Sequence, residues 1–562
     1  MVLTEEIKRE VGQHFVFGFH GFEASTNIKT LIQEYHVGNI ILMKRNIQNA
    51  AQTRKLVNEL QKLARDAGQP TPLLIGIDQE NGLVSAFSSP TAGTVFPGAL
   101  AIAATGSAEL IERVSEASAK ELKMVGINWV YSPVADVNTD SRNPVIGVRS
   151  FGDDPNKVAT YAAAVTRGHR AGGVASTAKH FPGHGDTHVD SHLALPVIQK
   201  SKEQLEKEEL IPFKSLIDAG IPSVMTGHMA LPLITGSNTP CSLSREITTG
   251  LLKEELGFSG LVVTDCLEMD AIAEPEQGGC GVTEGAIRAV EAGADVVMIC
   301  HTFEKQRDAV EGVYKALEEG RISIEEVRAS GRRVVEMKEH FASEGPKLAE
   351  KDDMEWQRKF SELQAANKEL SRQAYLKSTT IVWNGGNILP LKAENIKQSG
   401  GLMLFTPAME TVNRAVDSGD GKLIGPGGVI RNTAGASYLA LAKELEEKVT
   451  VEYVVYGVGE ALPEDLKQPG AVVFVMRNAD LRKWQLEYLE KLQKAISGSV
   501  PLVLVSSCGP YDLGHGEGKK YNEWTGYLAT YEFTAEAFSA AVSVIFGEEV
   551  GGGKLAVAVD LI

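Results

Sequence analysis

The sequence is short of several things, and each shortage removes a class of function. Its 562 residues contain only five cysteines, Cys241, Cys266, Cys280, Cys300 and Cys508, an odd number at scattered spacings. No CxxC-type metal pattern and no disulfide framework can be read from them, and reduced thiols in a cytosolic protein are expected. No apolar run reaches the roughly 18 residues needed to span a bilayer. The opening Met-Val-Leu-Thr-Glu-Glu-Ile-Lys-Arg-Glu lacks a basic stretch followed by an apolar one, so no secretory signal is visible. A mature secreted form stripped of its signal would look the same. Positive charge is also in deficit: the net charge of −17 argues against nucleic acid and an anionic membrane surface as partners.

What remains is ample for folding. Apolar residues make up 43% of the chain, and a single core seldom grows beyond roughly 250–300 residues, so two or more domains are expected. In the first part, apolar runs alternate with amphipathic helical patterns. The runs are His14–Gly21, Val37–Met43, Pro72–Asp78, Ile127–Val134, Val174–His180, Ile221–His228, Gly260–Asp265 and Ala294–Ile299. Helical stretches such as Asn49–Ala67, Ala108–Val125, Lys202–Ala219 and Ser244–Leu256 separate them. Eight such units predict a (β/α)8 barrel over residues 1–340. Gly126, Gly173, Gly220, Gly257 and Gly293 fall where helices should end and strands begin. Residues 341–375 are charged and helix-prone and read as a helical linker along the barrel. Residues 376–562 alternate again, with runs at Thr379–Trp383, Leu402–Phe405, Val449–Tyr456, Ala471–Met476 and Pro501–Ser506, predicting a smaller α/β sandwich with a mainly parallel sheet. Its glycine-rich pieces, such as Gly425-Pro426-Gly427-Gly428, lack a phosphate-loop pattern and read as turns.

The densest chemistry lies between Ala178 and Pro196. His180, His184, His188 and His192 alternate there with Asp186 and Asp190, after Lys179. Spaced four apart, the histidines would stack as metal ligands on a helix. Pro182, Gly183 and Gly185 make that helix improbable, and no glutamate stands beside the first histidine. No metal and no cofactor are therefore expected. Asp190-Ser191-His192 reads instead as a dyad in which a carboxylate orients an imidazole for proton transfer. His184, between two glycines, reads as a brace for the loop. In a barrel of this kind, chemistry gathers at the C-terminal ends of strands. Asp78, Lys179, His180, His228 and Asp265 all fall there, and Arg149 lies in the loop after the fourth strand, with a salt bridge to Asp153 or Asp154 as its alternative role. Glu268 and Asp270 read as helix-start residues.

The run Lys179-His180-Phe181-Pro182-Gly183-His184-Gly185-Asp186-Thr187, followed by Asp190-Ser191-His192, resembles the signature of glycoside hydrolase family 3, in its β-N-acetylglucosaminidase branch. The resemblance implies that Asp265, in Leu-Val-Val-Thr-Asp-Cys, is a nucleophile forming a covalent glycosyl-enzyme. It implies that His192, oriented by Asp190, is the acid/base in place of the usual carboxylic acid. An imidazole titrates near neutrality and carries no negative charge to repel an anionic acceptor such as phosphate. Asp78 resembles the carboxylate that grips sugar hydroxyls, and Arg149, Lys179 and His180 resemble its hydroxyl donors; His228 either touches substrate or braces the site. Where bacterial members that recycle cell-wall fragments read Asp-Gln-Glu-Gly-Gly-Arg-Val with a further arginine, this chain has Asn81, Leu83 and Ala86. That favours a neutral chito-oligosaccharide or another GlcNAc conjugate, and the Asp-Gln-Glu-Asn-Gly variant resembles fungal relatives. The expectation is a retaining exo-β-N-acetylglucosaminidase, monomeric or homodimeric, acting on a GlcNAc-terminated small carbohydrate. A phosphorylase using the same site, a β-glucosidase and a non-catalytic sugar-binding protein are the alternatives.

Overall fold

The computed structural model describes residues 2–88, 92–187, 194–343, 353–408, 435–464, 466, 468–513 and 522–559. Asp190 and His192 of the expected dyad, and the Gly425–Gly428 turn, lie outside the described residues.

Eight parallel strands close into a barrel: β1 (Phe15–Phe17), β2 (Asn39–Leu42), β3 (Leu74–Ile77), β4 (Trp129–Val130), β5 (Ala175–Phe181), β6 (Ser223–Thr226), β7 (Leu261–Cys266) and β8 (Val296–Ile299). All eight fall inside the apolar runs expected from sequence, except that β5 and β7 each extend one residue further. Successive residues face the lumen and the helix layer in turn, and burial on both faces explains why such runs are largely apolar. Val16, Ile41, Leu74, Val263 and Met298 point into the lumen, where they pack with Trp129 and Tyr131. Their neighbours Phe15, Phe17, Ile40, Leu42 and Ile75 point outward to the helix layer. Gly76 takes a lumen position because Tyr131 fills the space beside it: a Cβ there would lie 2.2 Å from the Tyr131 hydroxyl. The five glycines expected to end helices all adopt the left-handed backbone. Gly173, with φ +80° and its N–H on the Arg170 carbonyl, closes the helix Pro155–Gly172 and turns the chain into β5.

One expected helix is divided. Lys202–Ala219 forms two, Lys202–Lys207 and Leu210–Asp218. Pro212 has no N–H for the Glu208 carbonyl, so the first helix cannot run into the second. Lys200 holds the carboxylates of both Glu208 and Glu209 at the break.

The linker is largely helix, Asp353–Ser378. It follows the barrel helix Ala108–Met124 through Trp356 Nε1, which donates to the Met124 carbonyl at 2.9 Å, and Asn367 Nδ2, which donates to Glu121 Oε1 at 2.8 Å. It delivers the chain to a six-stranded sheet of β9 (Thr380–Asn384), β10 (Leu402–Pro407), β11 (Val451–Tyr456), β12 (Ala471–Met476), β13 (Leu502–Ser506) and β14 (Thr525–Ala529). The spatial order is β9-β14-β13-β12-β10-β11, parallel except for β9 against β14. Alternation again assigns the faces. Leu404, Val473, Val503 and Leu528 pack with Tyr438 and Phe538 on one side. Phe405, Phe474, Leu504 and Tyr527 pack with Tyr488 and Leu492 on the other. The two units meet where Tyr531 and Tyr511 pack on Leu100 and Ala104. Among the described residues, no helix is long and apolar enough to cross a membrane.

Candidate active site

Strand ends β3, β5, β7 and β8 surround an open cavity of about 460 Å³. That lies within the range of small-molecule sites, roughly 300–1,000 Å³. Asp78, Arg149, Lys179, His180 and Asp265 all line it. The structure therefore brings together five of the six described residues that sequence reasoning singled out. The sixth, His228, is fully buried behind the wall, its ring nitrogens paired with Ser242 Oγ at 2.8 Å and the Cys266 carbonyl at 3.0 Å. It braces the turn that follows Asp265.

The floor of one side is a matched set of charges. Chain alternation puts Asp78 and Glu80 on one side of the strand end. Lys179 Nζ bridges them, at 2.8 Å to Asp78 Oδ1 and 2.6 Å to Glu80 Oε1. Arg149 grips Glu80 with two bonds, Nε to Oε2 at 2.9 Å and Nη2 to Oε1 at 2.8 Å. Asp153 and Asp154 are occupied elsewhere: Asp153 accepts the Ala558 N–H, and Asp154 caps the helix Pro155–Gly172. Burial alone would raise the Glu80 carboxyl, but Arg149 and Lys179 outweigh it and hold it at about 2. Lys179 is correspondingly raised, burial being overcome by Asp78 and Glu80. The side chain of Asp78 is 34% exposed against 4% for Glu80. Asp78 is thus the carboxylate that can meet a ligand, and Glu80 fixes the two cations that flank it.

A second anchor lies deeper. Asp136, fully buried, accepts His180 Nδ1–H at 2.7 Å on one oxygen and the N–H groups of His180 and His184 on the other. Burial would raise its pKa, but His180 overcomes this and lowers it. With Nδ1 committed, His180 Nε2 accepts from Arg149 Nη2 at 3.4 Å. Burial holds the His184 imidazole at about 4 and therefore neutral in neutral solution. His184 also carries the expected bracing role, since Asn143 Nδ2 donates to its carbonyl at 2.8 Å. It lines the cavity as well.

Opposite the charged floor stands Asp265, at the end of β7, with Oδ1 accepting the Cys266 N–H at 2.7 Å. Asp270 opens the short helix Asp270–Ala273, as expected. Glu268 does something else: its carboxylate accepts the N–H groups of His301 and Thr302, just before the helix Phe303–Glu318. Glu80, Asp136, Cys266, Cys300 and His301 were not singled out from the sequence. Glu80 could have been, because it lies two residues from Asp78 and so shares its face.

Comparison with known proteins agrees with this geometry. Residues 6–337 match the family model described as glycosyl hydrolase family 3 N terminal domain. "Beta-hexosaminidase A" of Pseudoalteromonas piscicida is 34% identical over 342 residues, covering 57% of this chain and 56% of that protein. A family 3 β-N-acetylglucosaminidase from Paenibacillus sp. str. FPU-7 superposes with a TM-score of 0.83 at 33% identity over the full length of both chains. A fungal multi-domain family 3 β-N-acetylglucosaminidase superposes with a TM-score of 0.84 at 34% identity, covering 98% of this chain and 60% of that one. The chain thus spans little more than half the length of the Pseudoalteromonas and fungal relatives. With the barrel, the signature run and the family match in agreement, this chain belongs to glycoside hydrolase family 3.

Proposed function

We propose that the protein is a retaining exo-β-N-acetylglucosaminidase that releases terminal GlcNAc from chito-oligosaccharides or other GlcNAc conjugates. The observation that carries this reading is the placement of Asp265 across one cavity from the Asp78–Lys179–Glu80–Arg149 set. A carboxylate at a barrel strand end can attack an anomeric carbon, and paired charges with fixed geometry can hold vicinal hydroxyls. The names of the relatives point to the same sugar.

In the mechanism, Asp78, Lys179, Arg149 and His180 hold the hydroxyls of the non-reducing sugar with its anomeric carbon toward Asp265. The Asp265 carboxylate attacks as His192, oriented by Asp190, protonates the departing glycosidic oxygen. A covalent glycosyl-Asp265 ester results. His192 then takes a proton from water, which attacks the anomeric carbon and regenerates Asp265 with net retention. No cofactor takes part in these steps. The chemistry belongs to residues 1–340, with residues 376–562 as support.

NMR analysis of p-nitrophenyl β-GlcNAc turnover in phosphate buffer tests this reading. Free β-GlcNAc as the first product is expected. GlcNAc 1-phosphate would move the assignment to a phosphorylase, and cleavage of the β-glucoside alone would mean the wrong sugar. His192→Ala should slow substrates with poor leaving groups far more than activated aryl glycosides, because only the former need protonation. Equal losses on both would remove His192 from the acid role.

A further inference from the structure

Across the cavity from the charged floor are three side chains that the hydrolytic mechanism does not use. Cys266 ends β7 directly after Asp265, Cys300 directly follows β8, and His301 is next to it. The two sulfur atoms and one imidazole nitrogen all lie within 4.8 Å of one another. Among the described residues it is the one group of three or more histidine, cysteine or acidic side chains so arranged. All three residues line the sugar cavity.

We propose that Cys266, Cys300 and His301 form a binding site for a soft or borderline divalent cation of the zinc class, with its fourth coordination position open to the sugar cavity. Two thiolates and an imidazole select such ions over magnesium or calcium, which prefer oxygen ligands. Zinc–sulfur bonds of about 2.3 Å and zinc–nitrogen bonds of about 2.0 Å put tetrahedral ligand atoms roughly 3.5–3.8 Å apart, so closure requires each separation to shorten by no more than about 1.3 Å. The backbone at the site is already fixed. Glu268 holds the N–H groups of His301 and Thr302, Arg45 Nη2 donates to the Cys300 carbonyl at 2.6 Å, and Gly18 packs against that carbonyl. The cation takes both sulfurs as thiolates, any thiol proton passing to solvent, and leaves a centre with no net charge, so the Arg45 guanidinium does not oppose it. Three protein ligands and one open position is the arrangement of a zinc site that takes an exchangeable ligand. Here that position faces the space beside Asp265, so an occupied site excludes the sugar, and this consequence rests on the proposed function.

The test uses the full-length protein, reduced and stripped of metal, titrated with cadmium while the ultraviolet cadmium–thiolate absorption is followed. A band saturating at one cation per chain is expected, kept in Cys280→Ser and lost in Cys266→Ser and Cys300→Ser. Zinc should displace the cadmium. No band in the wild type, or a band surviving in the Cys266→Ser/Cys300→Ser double variant, overturns the proposal. So does a reduced protein that takes up no cation but forms a Cys266–Cys300 disulfide under mild oxidant, which would make the pair a redox centre. The wild-type titration stands even if a variant fails to fold. In a separate arm, zinc should inhibit hydrolysis of p-nitrophenyl β-GlcNAc in competition with GlcNAc, and each variant should lose that sensitivity relative to its own metal-free rate. Metal binding without effect on GlcNAc binding would overturn the open position alone. Absence of hydrolysis with the band intact would count against the proposed function and not against the cation site.

Discussion

At the barrel mouth, Asp78, Glu80 and Asp136 share their surroundings with Lys179, Arg149 and His180, and Glu80 is held at about 2. The C-terminal unit buries carboxyls differently. Glu532 takes hydrogen bonds from the Tyr375 hydroxyl and the Gly98 N–H, and Asp512 from the Ser506 hydroxyl and the Ala479 N–H. Burial pushes both up to about 7 against these bonds. Burial favours the neutral form in both places, and at Glu80 the cations Arg149 and Lys179 reverse it. The mouth therefore keeps fixed charges around its cavity, whereas the C-terminal carboxyls act as near-neutral ties, Glu532 joining the linker helix to the barrel.

The largest expected effect is at the mouth. Asp265→Ala should lower kcat/KM on p-nitrophenyl β-GlcNAc by on the order of 10⁴-fold or more, as loss of a nucleophile does elsewhere. The melting temperature should hardly move, because Asp265 is half-buried at a strand end. Near-normal turnover in that variant would show that the nucleophile has been misplaced.

Next in size is the charge matching itself. Glu80→Ala leaves Arg149 and Lys179 buried without their shared anion, and breaking a buried pair from one side costs about 3–5 kcal/mol. Asp78→Ala removes the more exposed partner of Lys179, so its cost should appear chiefly as a raised KM. Denaturant unfolding beside steady-state kinetics separates the two. If Asp78→Ala were the more destabilising, or Glu80→Ala changed only KM, the division between gripping and positioning carboxylates would fail.

The sequence carried the barrel because most strands are largely apolar runs and five of the eight follow helix-ending glycines, and both signals are local. It also carried the line of polar residues at strand ends, since Asp78, Lys179, His180 and Asp265 each close such a run. It did not carry the partners. Which cation meets Glu80, and that Asp136 holds His180, depend on strands brought side by side only by closure of the barrel. The Cys266–Cys300–His301 cluster was hidden for the same reason: its members lie on different strand ends and share no motif spacing. Strand β14 was missed because Thr525–Ala529 contains a glycine and lacks a continuous apolar run, and its neighbours β9 and β13 give it a place that its own pattern does not announce. His228 sits at a strand end like the others, and only its burial and paired ring nitrogens reveal a brace.

The smallest effect is the sharpest test of the contrast, because the two regions should respond to pH with opposite sign. For Glu80, lowered from 4.5 to about 2, the stabilising contribution is complete above pH 4.5 and is lost as the pH falls toward 2. For Glu532, raised from 4.5 to about 7, the contribution is complete below pH 4.5. As the pH rises from there to 7, the folded protein keeps a proton that the unfolded chain has released, so stability falls, by at most about 1.4 kcal/mol per pH unit for one group. Glu532→Gln keeps a neutral group of the same shape that can accept from Gly98 N–H and donate to the Tyr375 hydroxyl. Its melting temperature should match the wild type at about pH 4.5 and exceed it near pH 8, flattening the fall between pH 4.5 and 7. Asp512→Asn should flatten it by a similar amount. A slope unchanged in both variants would mean that these carboxyls are ionised in the folded protein at neutral pH, and that the two regions bury charge in the same way after all.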